Sequence, residues 1–521
     1  GGPSGSPSGS PSGPPSPPPS PPDGPGEGWD FGGFRGGARG PPWHLLDRGA
    51  GPVFRARVRT VQDCPHFARA AYVEAVDWAY LQLAEANTAW DLARGGGDAV
   101  AAAAAELEVE RRWALCLLLE RLLLRTAAAS GEAGQREFRE RFEHFWNGDW
   151  DLLLADAAPP ERVRRRGPRR PPTLEERGDE ARRHVQLGEC SRARSRLDGS
   201  ALAPGDALTC ELLHERPAVP GPLGPPAPAP SPGGRAGGGP QVELDRAKFL
   251  ANMRSAPRGG APGASGSRFE HHKLLLVSDS ATEHFYQGAL RLARGDIPPL
   301  ARAALRLGRL TALLKETAPD ARRKVRGIVA GQCLRRLVAR TLNQQFIGDF
   351  DAACAPHQFA LGTRAGTDAA ALLVKFCCEQ GRTIVQTDAK GAYDNASRQR
   401  MLEELGRVAP LLVPFVSLFY SEPSTYLWED DDGRTWEIPQ AEGGEQGDPL
   451  MPALFSLAVR GPLAAAAQRL DRGDLLIAFL DDVFLITSRE RARASFDVVR
   501  EELARGAGID LEDSKTRAYA A

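Results

Sequence analysis

Between Asp63 and Asn147, apolar side chains recur three and four residues apart, interrupted at RGGGD (Arg94 to Asp98). That period predicts two long helices and a third ending near FWNGDW. One run within them, WALCLLLERLLL, is nearly all apolar but carries Glu120 and Arg121, so it reads as a buried helix and not as a membrane span. A further helix near ELDRAKFLANM leads into a glycine-rich loop, SAPRGGAPGASGS. After about residue 270 the pattern changes. Helices, short strands and turns alternate with short connections, as in a compact α+β domain. GRTIVQTD reads as a buried strand ending at Asp388, and NASRQRMLEELGRV as a helix with a polar cap. STYLWEDDDGRTWEIP reads as a hairpin turning at Asp432-Gly433. PALFSLAVRGPLAAAAQRL reads as a helix kinked near Pro462, AFLDDVFLIT as a second hairpin, RASFDVVREELARG as a helix, and IDLED as a last strand. This order fits a small antiparallel sheet backed by helices.

Composition changes the picture at the edges of these elements. Residues 1–41 are mostly Pro, Gly and Ser, which bury little apolar surface, and the stretch is expected to be disordered. A basic arm, RVRRRGPRR (Arg162 to Arg170), and a Pro/Gly-rich linker at about 216–240 flank a short helical piece, EARRHVQLGECSRARSRL. The chain of 521 residues is long enough for more than one domain. The partition is 1–41 disordered, 42–157 helical, 158–240 linker with a short helix, 241–380 and 381–521 the α+β part. The formal net charge of −1 says nothing about partners, but local charge does. The basic arm and the stretch Arg322 to Arg340, rich in Arg and Lys with Asp and Glu absent, suit a phosphate backbone. The eight cysteines form no CxxC pair, which argues against a zinc site and for a reducing compartment. His271-His272 reads as surface or capping, Cys377-Cys378 as core, and the tryptophans of the first helices as packing anchors.

Asp481 and Asp482 then raise a question: two carboxylates inside an apolar run, with no Lys or Arg before Arg489. A hairpin tip is the simple reading. A divalent cation is the sharper one, and it needs another carboxylate. Asp388, at the end of its own strand, supplies it if that strand lies beside the hairpin. Three converging carboxylates repel and raise each other's pKa. Two Mg2+ ions, roughly 3.5–4 Å apart, would relieve that repulsion, activate an attacking 3′-hydroxyl and hold a triphosphate. EGGEQGDPLMPALF adds glycines and a Gln before a helix, where backbone approaches closely; as a simple turn, its Asp448 would cap the helix.

With DAKGAY, EQGDPLMP, FLDD and LEDSKT in this order, the chain resembles a reverse transcriptase of the non-LTR retrotransposon type. RKVRGIVAGQCLRRLVARTL is similar to the fingers segment of that family, and PHQFALGTRAGTDAAALLV to its next block. The resemblance covers about 180 to 521. It implies a right-hand palm and fingers, an RNA template, a DNA primer, deoxynucleotides, and Mg2+ or Mn2+. Asp388, Asp481 and Asp482 would be the metal ligands, assisted by the backbone carbonyl of Ala389. Tyr393 would meet the sugar; Gln446 and Gly447 would contact the nucleotide or template pair. Lys324 and Arg326 would meet the triphosphate, and Lys515 would donate a proton to pyrophosphate. Two positions depart from the family: Gly327 replaces the Pro of Arg-Pro-Ile, and Phe479 stands where Tyr is usual. No thumb and no nuclease can be read from the chain. The rivals are an RNA-dependent RNA polymerase, which an aromatic Tyr393 disfavours, and an inactive nucleic-acid-binding remnant, which the intact triad disfavours. Nuclear residence would follow for an active eukaryotic element; membrane association is not expected.

Overall fold

The structure, a computed structural model, describes residues 41–157, 173–186, 190–198, 201–228, 240–315 and 323–520. The Pro/Gly/Ser run before residue 41 and the basic arm Arg162 to Arg170 lie outside the described residues.

The expected helices form at Arg69–Gly95, Ala99–Leu123 and Gly131–Asn147. The chain turns between the first two at Gly97, which takes φ +75°, and Asp98 caps the second by accepting from the amides of Val100 and Ala101. Trp90, Trp113 and Trp150 are buried, as packing anchors should be. The helix Asp279–Ala293 lies against Arg69–Gly95. A Cβ at Gly288 would stand 2.8 Å from the Tyr80 ring, so glycine is what lets these helices meet. Glu120 and Arg121 are both buried, and they do not pair with each other. Arg121 donates to the carbonyls of Val53, Phe54, Ala56, Ala157 and Ala264, and burial lowers its pKa to about 9. Glu120 accepts from the Tyr72 hydroxyl at 3.0 Å, and burial raises its pKa to about 7. Among the described residues no helix is long and apolar enough to cross a membrane.

Among the described residues eight strands follow: β1 Gly308–Leu314, β2 Val325–Ala330, β3 Thr383–Thr387, β4 Ser424–Glu429, β5 Thr435–Gln440, β6 Leu475–Phe479, β7 Asp482–Thr487 and β8 Arg517–Tyr519. They build two four-stranded sheets, in the orders β2-β1-β4-β5 and β6-β7-β3-β8. The second is antiparallel throughout and is the palm sheet. The first is the fingers sheet, and it contains one parallel pair, β1 with β4. The helices Arg398–Val408, Met451–Arg469 and Ala492–Ala507 pack behind the palm, with Pro462 inside the second.

Several expectations change. The hairpin at Asp432-Gly433 forms but joins the fingers sheet, so fingers and palm interleave along the chain. IDLED is not a strand: it is bonded to the turn after β3 through Lys390 N to Asp510 O and Glu512 N to Asp388 O, and the strand comes later, at β8. Much of the segment expected to be linker is docked. Its helix Ala207–His214 buries Cys210 and Leu213 against Leu310, Tyr426, Trp428 and Ile438 of the fingers sheet. The block Arg322 to Arg340 is not a free cationic strip. Arg335 is 1% exposed and ion-paired with Glu445 and Asp448, and Arg323 pairs with Asp206. His271 and His272 are buried, not on the surface; His271 Nδ1 accepts from the Arg268 amide at the start of its helix.

Candidate active site

The palm ladder ends where the acidic residues begin. The last β3–β7 pair is Thr387 with Val483, and β6 closes on β7 at Phe479 with Asp482. Asp388 follows β3, Asp482 opens β7, and Asp481 sits at the hairpin tip. The three carboxylates thus leave from adjoining strand ends at the surface; the Asp388 side chain is 50% exposed. Their mutual influence is visible on Asp482, whose pKa is raised first by burial, then by the charges of Asp481 and Asp388. The simple reading holds, since Asp481 and Asp482 are a hairpin tip, and Asp388 stands at the adjoining strand end.

The tip is not left to itself. Leu480 takes φ +56°, a left-handed conformation that β-carbon sterics disfavour. Gln358 holds it: Leu480 N donates to Gln358 Oε1 at 2.7 Å, and the segment around Gln358 runs beside β6 through Phe359 N to Ala478 O and Ala478 N to His357 O. Sequence reading assigned Gln358 no role.

The turn after β3 carries Tyr393. Its ring stacks on Phe455, with centroids 4.8 Å apart and planes 13° from parallel. Burial raises the Tyr393 pKa and the charge of Asp481 raises it further, which places the ring beside the acidic group. The glycines of EGGEQGD fit against this turn. Gly444 N donates to Tyr393 O and Gly443 N to Ala396 O, both at 2.8 Å. Gly443 has φ +63°, and a Cβ there would lie 2.2 Å from Tyr393 O. Gln446 and Gly447 are exposed on the far side of the same loop, where a Cβ at Gly447 would lie 2.6 Å from Val329 O of β2. Asp448, expected as a helix cap, accepts from the Leu450 amide but is also built into the buried group of Arg335, Glu445 and Tyr420.

Cations from the palm and from the fingers lie near Asp388. Lys515 Nζ is 2.6 Å from Glu512 Oε2 and 3.6 Å from Asp388 Oδ1. The Glu512 hydrogen bond, helped by Asp388, raises the Lys515 pKa, so the side chain stays protonated. Lys324 and Arg326 are exposed on and beside β2. Lys315, which sequence reading missed, ends the facing strand, with its amide bonded to Lys324 O at 3.0 Å. Burial lowers its pKa, and Arg326 and Lys515 lower it further, which puts the three cations together near Asp388 and Asp394. A cleft of about 310 Å³ opens here, lined by Lys315, Lys324, Lys390, Lys515, Asp394 and Arg216 among others. Its cationic lining suits an oligophosphate. The Asp388 carbonyl is taken by Glu512 N, while the Ala389 carbonyl forms no part of that bond.

The acidic group consists of hard oxygen donors, the type divalent cations such as Mg2+ prefer, and after burial the charges of Asp481 and Asp388 raise the Asp482 pKa. Among the described residues, no three His, Cys, Asp or Glu side chains are gathered closely enough to hold a metal ion as they stand. Substrate phosphates would complete such a sparse set. By donor type and charge, the residues fit a divalent ion.

Residues 314–520 match the family model described as reverse transcriptase (RNA-dependent DNA polymerase). No curated protein matches the chain. Among solved structures, apo telomerase from Candida Tropicalis is similar over 42% of this chain and 44% of its own, with 11% identity and a TM-score of 0.33. Telomerase from Candida albicans, in complex with a fragment of telomeric RNA, is similar over 41% of each chain, with 11% identity and a TM-score of 0.31. The chain spans less than half the length of these two structures.

Proposed function

We propose that the chain is the polymerase of a retrotransposon of the non-LTR type, transferring deoxynucleotides to a DNA primer 3′-hydroxyl on an RNA template with Mg2+. The observation that carries this reading is the adjacency of Asp388, Asp481 and Asp482, with Tyr393 beside them and cations opposite. The three aspartates would hold the ions, which supply a lowered pKa for the attacking hydroxyl and charge compensation for the leaving group. Lys324, Arg326 and Lys315 orient the triphosphate. Lys515 holds a proton at Nζ, kept there by Glu512 and Asp388, for the departing pyrophosphate. Tyr393, braced by Phe455, bars a ribose 2′-hydroxyl. Gln446 and Gly447, on a loop tied to the Tyr393 turn, contact the nascent pair.

Primer extension with RNA and with DNA templates, each supplied with dNTPs or with NTPs, tests the reading. DNA synthesis on RNA, dependent on Mg2+, is the expected result. RNA products, or none, would refute it.

A further inference from the structure

Arg216 lies in the stretch that composition marks as linker, upstream of the 314–520 match. Its side chain is only 7% exposed. The guanidinium has three partners on three separate elements. Nη2 donates to the carbonyl of Gly327 on β2 at 2.7 Å, Nη1 donates to Gln440 Oε1 at the end of β5, and Nη1 lies 3.2 Å from Asp394 Oδ1 in the Tyr393 turn. Each partner adjoins a residue of the nucleotide site. Gly327 follows Arg326, Asp394 follows Tyr393, and Gln440 donates to Glu442 O at the start of the Gln446 loop.

The chain is fastened on both sides of Arg216, so the guanidinium is delivered and not left to find its place. Upstream, Leu314 N donates to Ala201 O and Ala203 N to Ala312 O, an isolated antiparallel bridge onto β1. Downstream, Ala441 N donates to Pro217 O and Gly221 N to Glu442 Oε1, both at 2.6 Å. Space at position 327 is matched to it. A Cβ on Gly327 would lie 2.5 Å from Arg216 Nη2 and 3.0 Å from Leu310 Cδ1. A free arginine tip would swing aside, but three partners hold this one. Gly327 thus makes room for Arg216.

We propose that Arg216 is a positioning residue of the nucleotide site, which fixes the Arg326 strand, the Tyr393 turn and the Gln446 loop to a single guanidinium. The proposal rests on the polymerase reading for its kinetic effect and on geometry alone for the clamp itself. Lysine keeps the charge opposite Asp394 but cannot span all three partners.

The test uses the full chain with Arg216→Ala and Arg216→Lys, each alone and combined with Gly327→Ala. Primer extension is measured against dNTP and NTP concentration, and hydrogen–deuterium exchange over residues 325–330 and 392–396. Arg216→Ala is expected to raise KM for dNTP about tenfold, the scale of one lost charge-assisted hydrogen bond, with kcat within about threefold. Its preference for deoxynucleotides over ribonucleotides should fall, and Arg216→Lys should lie between. Gly327→Ala should be harmful alone and clearly less so once Arg216 is Ala, because Arg216 Nη2 is the nearest atom its Cβ meets, ahead of Leu310 Cδ1. An unchanged KM and sugar preference, or penalties of Arg216→Ala and Gly327→Ala that simply add, would overturn the proposal. If the wild-type chain does not polymerise, the function fails but the clamp is still tested: faster exchange in both segments of Arg216→Ala supports it, and unchanged exchange refutes it.

Discussion

Asp388 and Asp482 stand one step beyond the Thr387–Val483 pair that ends the β3–β7 ladder, so two acidic side chains meet at adjoining strand ends. The cost is carried by Asp482, whose carboxyl pKa is raised by burial and then by Asp481 and Asp388. A carboxyl with a raised folded-state pKa favours folding in its protonated form, and that contribution is lost as pH rises through the raised value. Asp482→Asn should therefore keep the fold and match or exceed the wild-type Tm near neutral pH, with the advantage disappearing in acid. Thermal melts at about pH 4 and pH 8 decide it; a variant that melts lower at neutral pH would contradict the repulsion.

Tyr393 is braced by Phe455 and faces Asp481. Replacing it with Ala removes the ring that bars a 2′-hydroxyl. A misplaced ribonucleotide loses alignment, and misplacement by ~1 Å costs on the order of 10²-fold in rate. The dCTP to CTP ratio of kcat/KM should fall in Tyr393→Ala while metal dependence stays. A ratio that holds steady while both rates drop together would make Tyr393 a packing residue only.

Gln358 and Leu480 form the support of the acidic tip. Gln358→Leu strips the acceptor from the Leu480 amide and leaves a left-handed leucine unsupported, so extension should slow by about tenfold with the rest of the fold intact. Leu480→Gly in that background should restore part of the rate, since glycine takes φ +56° without strain. A Gln358→Leu enzyme at full speed would remove this support from the account.

Much of this was legible in the chain. Short-range periodicity marks the helices Arg69–Gly95 and Ala99–Leu123, and the short apolar runs around Asp388 and Asp481-Asp482 mark the palm strands. What was not legible depends on contacts between distant residues. Gln358 lies 122 positions from Leu480, and Arg216 lies 111 from Gly327. Nothing local distinguishes a glutamine that clamps a hairpin or an arginine in a Pro/Gly-rich stretch. Arg335 shows the reverse error: within a basic block it looks like a phosphate ligand, yet Glu445 and Asp448 from the glycine-rich loop and helix start bury it. Lys315 left a weak signal, a lysine ending one strand opposite Lys324 before the next.

Glu120 gives a test away from the site. Burial raises its pKa from 4.5 to about 7. Its contribution to stability is thus full below pH 4.5 and lost as pH rises toward 7. Glu120→Gln keeps an acceptor for the Tyr72 hydroxyl and carries no charge to desolvate. It should stabilise the chain at about pH 8 by on the order of 3 kcal/mol, with little difference below about pH 4.5. Melting curves of both proteins across that range would reveal it, and an equal gap at every pH would argue against a buried titrating acid.

The central claim is that Asp388, Asp481 and Asp482 together carry nucleotidyl transfer. Primer extension on an RNA template by the wild-type chain and by Asp481→Asn, with dNTPs and Mg2+, measures it most directly. The account predicts templated DNA from the wild type and a loss of at least ~10²-fold in the variant, the scale of one preorganised electrostatic group, with its melting curve preserved. Near-normal extension by Asp481→Asn would contradict it.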